Sequence, residues 1–402
     1  MQNRSYLCCF VAAALIWVQG AQGSEVADTR HSSSGTITIF LSGDVMTGRG
    51  IDQVLPHPGS AVIHEDFMKS ARGYVEIAER ANGRIKTPVC FSYVWGDALK
   101  ELDRKAPDVR IVNLETSVTA SSDYWKNKGI HYRMHPDNTP VLTAAKIDVC
   151  ALANNHVLDW GYAGLVDTLA ALHGAGIQTA GAGISCREAR TAAVKPVPGK
   201  GRVVVLAFGL RSSGIPSDWG AGDKKPGVCL LEDLSDRSLG DIQRQVAQVK
   251  RNGDVVVASI HWGSNWGHRI ARAQRDFAHQ LIEAAGVDIV HGHSSHHVRA
   301  IEVYRDKLIL YGCGDFLNDY EGIGGYEQYR GDLSLMYFAT VAPATGRLLA
   351  LEMTPTTIRR FRIVRASGAD TLWLKDTLNR QGAVVGTRVA IAGDNRLTLK
   401  WD

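Results

Sequence analysis

Thr36-Ile-Thr-Ile-Phe-Leu-Ser-Gly-Asp44 opens as a short apolar, β-branched run and breaks off at Ser42-Gly43-Asp44. Such side chains fit a buried pleated surface, and a glycine followed by a polar residue ends it, so a buried strand with a carboxylate at its far end is predicted. The design repeats along the chain. Val109 to Leu114 runs into Glu115, and Ile147 to Ala153 into Asn154-Asn155-His156. Val203 to Phe208 is a further strand, Asp254 to Ile260 ends in His261-Trp262-Gly263, and Val287 to Val290 ends in His291-Gly292-His293. Lys307 to Tyr311 leads to Gly312-Cys-Gly-Asp315. Between these runs lie helical patterns: Leu165, Leu169 and Leu172 with Gly174 as a stop, Leu239, Ile242, Val246 and Val249, then Phe277, Leu281 and Ala284. Strand then helix is the βα rhythm of an α/β fold, and in an open sheet the carboxyl edge is where sites are built.

The ends of the chain read differently. Residues 332–365 form extended segments without helices, which suggests antiparallel strands in a second sheet. Within them Ile358 to Ile363 alternates in part, with Arg360 and Arg362 on a solvated edge or, alternatively, on an anion-binding strip. Asp370 to Leu378 is predicted as a short helix, and Gly386 to Trp401 as a hairpin around Asp394-Asn395. The region from Gly50 to Val94 has no clear period. At the start, Arg4 precedes the apolar run Tyr6 to Val18, followed by small residues at Ala21-Gln-Gly23. Residues 1–23 therefore read as a secretory signal peptide, or as an anchor if uncleaved, and 24–35 as a linker.

Composition narrows the function classes. With 45% hydrophobic and 21% charged residues the chain is globular, and a formal charge of +4 without a dominant block gives nucleic-acid binding little support. Five cysteines follow the signal, at 90, 150, 186, 229 and 313, an odd, scattered set without C-x-x-C spacing. They signal neither a zinc knuckle nor a disulfide framework.

The strand-end residues supply the chemistry. Asp44, Glu115, Asn155, His261 and the histidines of 291–297 make a mixed oxygen and nitrogen donor set, suited to manganese, iron or zinc and less to calcium or copper(I). One or two such ions would polarise a phosphoryl or acyl oxygen and generate hydroxide at neutral pH. Taken singly, each residue has a plainer reading. An Asp after a strand caps a helix, Asn154-Asn155 makes a turn, and a histidine run binds metal casually. Trp262 and Trp266, flanking His261, shape a pocket mouth or pack as core.

As an ordered set, Gly43-Asp44-Val-Met46 with Arg49, Asn113-Leu-Glu115, Asn154-Asn-His156 with Asp159 and Gly161, Gly181-Ala-Gly183, His261-Trp-Gly263, Gly292-His293-Ser-Ser-His296 and Tyr311-Gly-Cys-Gly-Asp315-Phe316 resemble the CapA-type family of poly-γ-glutamate capsule synthesis. That family's domain is similar to the calcineurin-like metallophosphoesterases. The resemblance runs from Thr36 to Phe316. It implies an α/β sandwich of two mixed sheets flanked by helices over 36–330, with 331–402 a β-rich extension on the same domain. By position, Asp44 is implied as the first metal carboxylate, Glu115 as the bridging acid, Asn155 as the amide ligand and His261, His293 and His296 as imidazole ligands. His156, with Asn154 beside it, is implied at the reacting oxygen. Met46 stands where a ligand histidine belongs, Glu115 replaces an aspartate, His296 falls three residues after His293 instead of two, and Asp315 replaces an asparagine.

Two functions follow as expectations. One is a divalent-metal-dependent hydrolase at the cell envelope, exported to the periplasm or beyond, acting on a phosphoester or on a bond in an anionic polymer. The other is a non-catalytic accessory subunit of a capsule polymer synthase, holding the anionic chain beside a membrane complex.

Overall fold

The computed structural model describes residues 35–401. The signal peptide expected at 1–23 and nearly all of the linker at 24–35 lie outside the described residues. The first half contains β1 (Ile37–Val45), β2 (Val109–Leu114), a short ribbon of β3 (Ser117–Val118) with β4 (Arg133–Met134), and β5 (Val149–Ala151). Then come β6 (Gln178–Ala180), β7 (Ala182–Gly183), β8 (Ala193–Val197), β9 (Gly201–Leu210), β10 (Gly227–Val228) and β11 (Leu230–Leu231). The third part holds β12 (Asp254–His261), β13 (Ile289–His293), β14 (Ile301–Tyr304), β15 (Lys307–Leu310) and β16 (Asp315–Leu317). The chain closes with β17 (Leu333–Ala342), β18 (Arg347–Arg359), β19 (Arg362–Arg365), β20 (Thr387–Ala392) and β21 (Arg396–Trp401). No described helix is long and apolar enough to cross a membrane.

These strands make two large mixed sheets. The first has ten strands in the order β20-β21-β18-β17-β1-β2-β5-β6, with β16 beside β1 and β19 beside β18. The second has seven, β11-β9-β12-β13-β15-β14, with β8 beside β9. In β9 and β12 side chains alternate between two cores, as strand geometry demands. Val203, Val205, Val255 and Val257 join the core shared with the first sheet. Val204, Leu206, Val256 and Ala258 pack instead with Leu239, Ile242 and Val246 of the helix Asp236–Val249 and with Phe277 and Leu281 of the helix Arg272–Glu283. This alternation carries Ser259 and His261, and likewise His291 and His293, two and four residues past Ile289, onto the face turned toward the first sheet.

Two expectations are corrected. Residues 332–365 do not form a second sheet: β17 pairs antiparallel with β1 from Ile37↔Val341 to Leu41↔Tyr337, extending the first. The reason is that opposite β2 the strand β1 has β16 only at Asp44 and Val45, and the buried apolar stretch from Ile37 to Leu41 must satisfy its other row of backbone groups. Nor does Ile358 to Ile363 run as one alternating strand. Arg360 and Phe361 both take φ 57°, turning β18 back into β19, and the Glu321 carboxylate accepts both of their backbone N–H groups. Phe361 is thereby fully buried.

Candidate metal centre

Asp44 is the last residue but one of β1, just past a register shift against β2, its backbone N–H donating to the Gly314 carbonyl at 3.0 Å. Its carboxylate accepts from Asn113 Nδ2 at 2.7 Å and from the Ser294 N–H at 3.3 Å. Glu115, just beyond β2, has Oε1 3.7 Å from His156 Nε2 and 3.8 Å from His261 Nε2. Asn155, beyond β5, sets its Oδ1 2.9 Å from His261 Nε2. His261 and His293 are register partners in adjacent parallel strands, and their Nδ1 atoms lie 2.7 Å apart. His293 Nδ1 is also 4.0 Å from Asp44 Oδ1. Asp44, His261 and His293 each offer one donor atom within 4.8 Å of the others.

Burial sets the electrostatics. Desolvation, then the Asp315 carboxylate, lifts Asp44 to about 7, and burial with Asp44 nearby pushes Glu115 well above the carboxylate range. Burial holds His261 and His293 well below the usual imidazole value, so both are neutral donors of a lone pair. A neutral His261 has a single N–H. It meets either His293 Nδ1 or Asn155 Oδ1, and the other nitrogen keeps a lone pair turned into the centre. A divalent cation among these atoms would take up the imidazole lone pairs and compensate two crowded carboxyl groups. The residues therefore fit a metal, with the oxygen and nitrogen set expected of manganese, iron or zinc.

Of the remaining expected residues, His296 lies on the cavity wall, but Asp315 takes its Nδ1 at 2.9 Å while Nε2 faces Asn265 at 2.9 Å. Against the cost of burial, Asp315 lifts His296 above its ordinary value. His156 turns Nδ1 to Asp159 Oδ2 at 2.7 Å and Nε2 toward Glu115. Burial drives it down to about 4. Asn154, expected beside it as a reacting group, is not among the cavity-lining residues. Its amide donates to Asn113 Oδ1 and the Leu114 carbonyl and its oxygen accepts the His156 N–H, so it braces Asn113 against Asp44. Met46 sits by Tyr320, whose hydroxyl donates to its sulfur at 3.7 Å.

The model of the family described as bacterial capsule synthesis protein PGA_cap matches residues 38–320, which hold every one of these groups. The chain belongs to this capsule synthesis family. A probable polyglutamine synthesis accessory protein of Mycobacterium tuberculosis is 51% identical over 364 residues, covering 90% of this chain and 96% of the relative. The capsule biosynthesis protein CapA of Bacillus anthracis is 25% identical, over 78% of this chain and 67% of its own length. The PGA biosynthesis protein CapA of Bacillus subtilis is 27% identical, over 87% and 80%.

In this member of the capsule synthesis family the centre opens into a cavity of about 250 Å³ lined by Glu115, Lys128, Asn155, His156, His261 and His296 among others. Lys128 escaped sequence reasoning. Its ammonium lies 2.7 Å from Asp159 Oδ1 and 3.0 Å from His156 Nδ1, and it is the one lysine or arginine among the described lining residues. It sits on a loop with no period, and only the fold brings it here. Ile130, His296 and Tyr320 also line a neighbouring groove of about 570 Å³ that holds Phe67, Ile323, Trp266 and Tyr326. Trp266 stacks on Tyr326 with ring centres 4.2 Å apart, whereas Trp262 is core, donating its indole N–H to the Tyr311 carbonyl.

Proposed function

We propose that this chain is an exported, divalent-metal-dependent hydrolase of capsule or exopolymer biosynthesis, acting at the envelope on a phosphoester or on a bond in an anionic polymer. The observation that carries the reading is His156. A scaffold has no use for a neutral imidazole at the cavity whose Nδ1 donates to Asp159, itself paired with Lys128, so that Nε2 keeps its lone pair toward Glu115. Asp44, Glu115, Asn155, His261 and His293 would hold manganese, iron or zinc, with His296 in reach of a second ion. The metal supplies Lewis-acid polarisation and a water of lowered pKa. Lys128 draws in the anionic group, and His156 exchanges a proton with the reacting oxygen.

A second reading, a non-catalytic accessory subunit that binds the polymer beside a membrane synthase, draws on Met46. Tyr320 covers its thioether where a further ligand would otherwise stand.

The test uses the chain from residue 24 onward, purified and analysed for bound metal, with hydrolysis of a model phosphodiester followed in added manganese. His156→Ala is expected to keep its metal and slow turnover by roughly 10²–10⁴-fold, the scale of a positioned acid or base. Bound metal without hydrolysis in the unaltered protein would leave the accessory reading standing.

A further inference from the structure

Four side chains form a two-by-two lattice on the face of the second sheet that looks at the first. Ser259 is the register partner of His291, and His261 of His293. His261 and His293 belong to the centre; Ser259 and His291 lie one step behind it.

Their protons can be assigned in sequence. His291 Nε2 lies 2.7 Å from the carbonyl oxygen of Ser42 on β1. A carbonyl only accepts, so Nε2 carries the hydrogen. His291 is fully buried and its two partners, a carbonyl and a hydroxyl, carry no charge, so the ring stays neutral and Nδ1 is a bare lone pair. The Ser259 hydroxyl, 3.0 Å from that lone pair, donates to it. Its oxygen, 2.8 Å from His293 Nε2, then accepts the hydrogen there. His293 is left with its lone pair on Nδ1, the atom that faces His261 and Asp44. Without the hydroxyl, His293 Nε2 loses its acceptor while His261 Nδ1 stands 2.7 Å from Nδ1, so the hydrogen would move to Nδ1 and block that atom as a ligand.

The geometry points to Ser259 and His291 as positioning residues: a hydrogen-bond relay from the β1 backbone through His291 and Ser259 fixes the tautomer of His293, so that Nδ1 is presented to a divalent cation. The inference rests on the metal-centre reading for its purpose and on the hydrogen bonds alone for its existence. Outer partners of this kind typically change metal affinity 10–100-fold.

The experiment combines two measurements on purified protein. Nitrogen-15 NMR of histidine-labelled, metal-free protein is expected to show His293 with its hydrogen on Nε2. In Ser259→Ala the hydrogen is expected to move to Nδ1, and manganese affinity, measured against a competing chelator, to fall about 10–100-fold. Ser259→Thr, which keeps the hydroxyl, is expected to retain both properties. An unaltered protein carrying the His293 hydrogen on Nδ1 overturns the relay without any variant being made. So does Ser259→Ala with an unmoved hydrogen or an unweakened manganese affinity. Should the unaltered protein bind no metal, the metal-centre reading fails while the NMR result still decides the relay.

Discussion

Burial holds His156 and His291 at about 4, while an unfolded imidazole titrates near 6.5. As pH falls between these values the unfolded chain takes up protons that the folded chain refuses, so stability drops, by roughly 3 kcal/mol per ring at pH 4. Asp44 has the opposite sign. Lifted to about 7, it keeps a proton in the folded state that the unfolded state loses near 4, so stability drops as pH rises across that window, and Glu115 extends the effect upward. Below pH 6.5 the depressed rings outnumber the two carboxyls; above it the carboxyls and His296, which Asp315 holds above its ordinary value, all lose stability as pH rises. Metal-free protein is therefore expected to unfold at its highest temperature near pH 6.5, and added manganese to remove the decline on the alkaline side. A melting temperature in chelator that climbs steadily from pH 6.5 to 8 would contradict this. Lys128→Met takes a positive charge from beside His156, so the acid limb of the pH–rate profile should move to higher pH with metal content unchanged; an unmoved limb takes Lys128 out of the site. Asp44, Glu115, Asn155, His156, His261 and His293 were legible because each follows a buried run, and strand periodicity shows where a run stops. Lys128 and Asn265 lie on loops, where sequence distance says nothing about approach. Asn154 turns its amide to Asn113 and Leu114, a direction that adjacency to His156 does not tell.

Among the strands, the meeting of β1 with the segment before β16 is the tightest. A Cβ on Gly43 would stand 1.6 Å from the Gly314 carbonyl oxygen, which is backbone and cannot swing aside. Gly43→Ala is expected to destabilise by at least the 1–3 kcal/mol usual for overpacking and, by shifting Asp44, to reduce bound metal as well. Urea unfolding and metal analysis check both; a loss under about 0.5 kcal/mol, typical of surface changes, would mean that the strands part readily. Elements with strong local signals were readable. The hairpin of β20 and β21 turns at Asp394 and Asn395, both at positive φ, as that residue pair favours. The stretch from Gly50 to Val94 was not, because its helices Gly50–Val54 and Arg72–Asn82 are short and its order comes from distant partners. Arg49 is one such partner, paired with Glu65 and Asp319 and lying over the Tyr74 ring at 3.8 Å.

Taken whole, the chain places its centre where two sheets meet, yet the sheet carrying Asp44 is completed by residues far beyond it. The family match ends at residue 320, while β17 covers the open side of β1 only from Leu333 onward. Removing residues 331–402 would leave the unpaired row of β1 facing water beside apolar Ile37, Ile39 and Leu41. The shortened protein is expected to be recovered mainly as aggregate, measured as soluble yield and light scattering against the full chain. A soluble, monomeric, metal-binding 24–330 fragment would show that β17 is dispensable.

The pairing of β1 with β17 also sets a timetable. The two strands are about 300 residues apart in the chain. A ribosome adding roughly 5–20 residues each second needs on the order of 15–60 s to cross that distance. For all of that time the strand bearing Asp44 has emerged without its second neighbour, and contacts of such long range are slow to form even afterward. A centre built on that strand would acquire any ion late in the life of the polypeptide, from whatever compartment surrounds the finished chain.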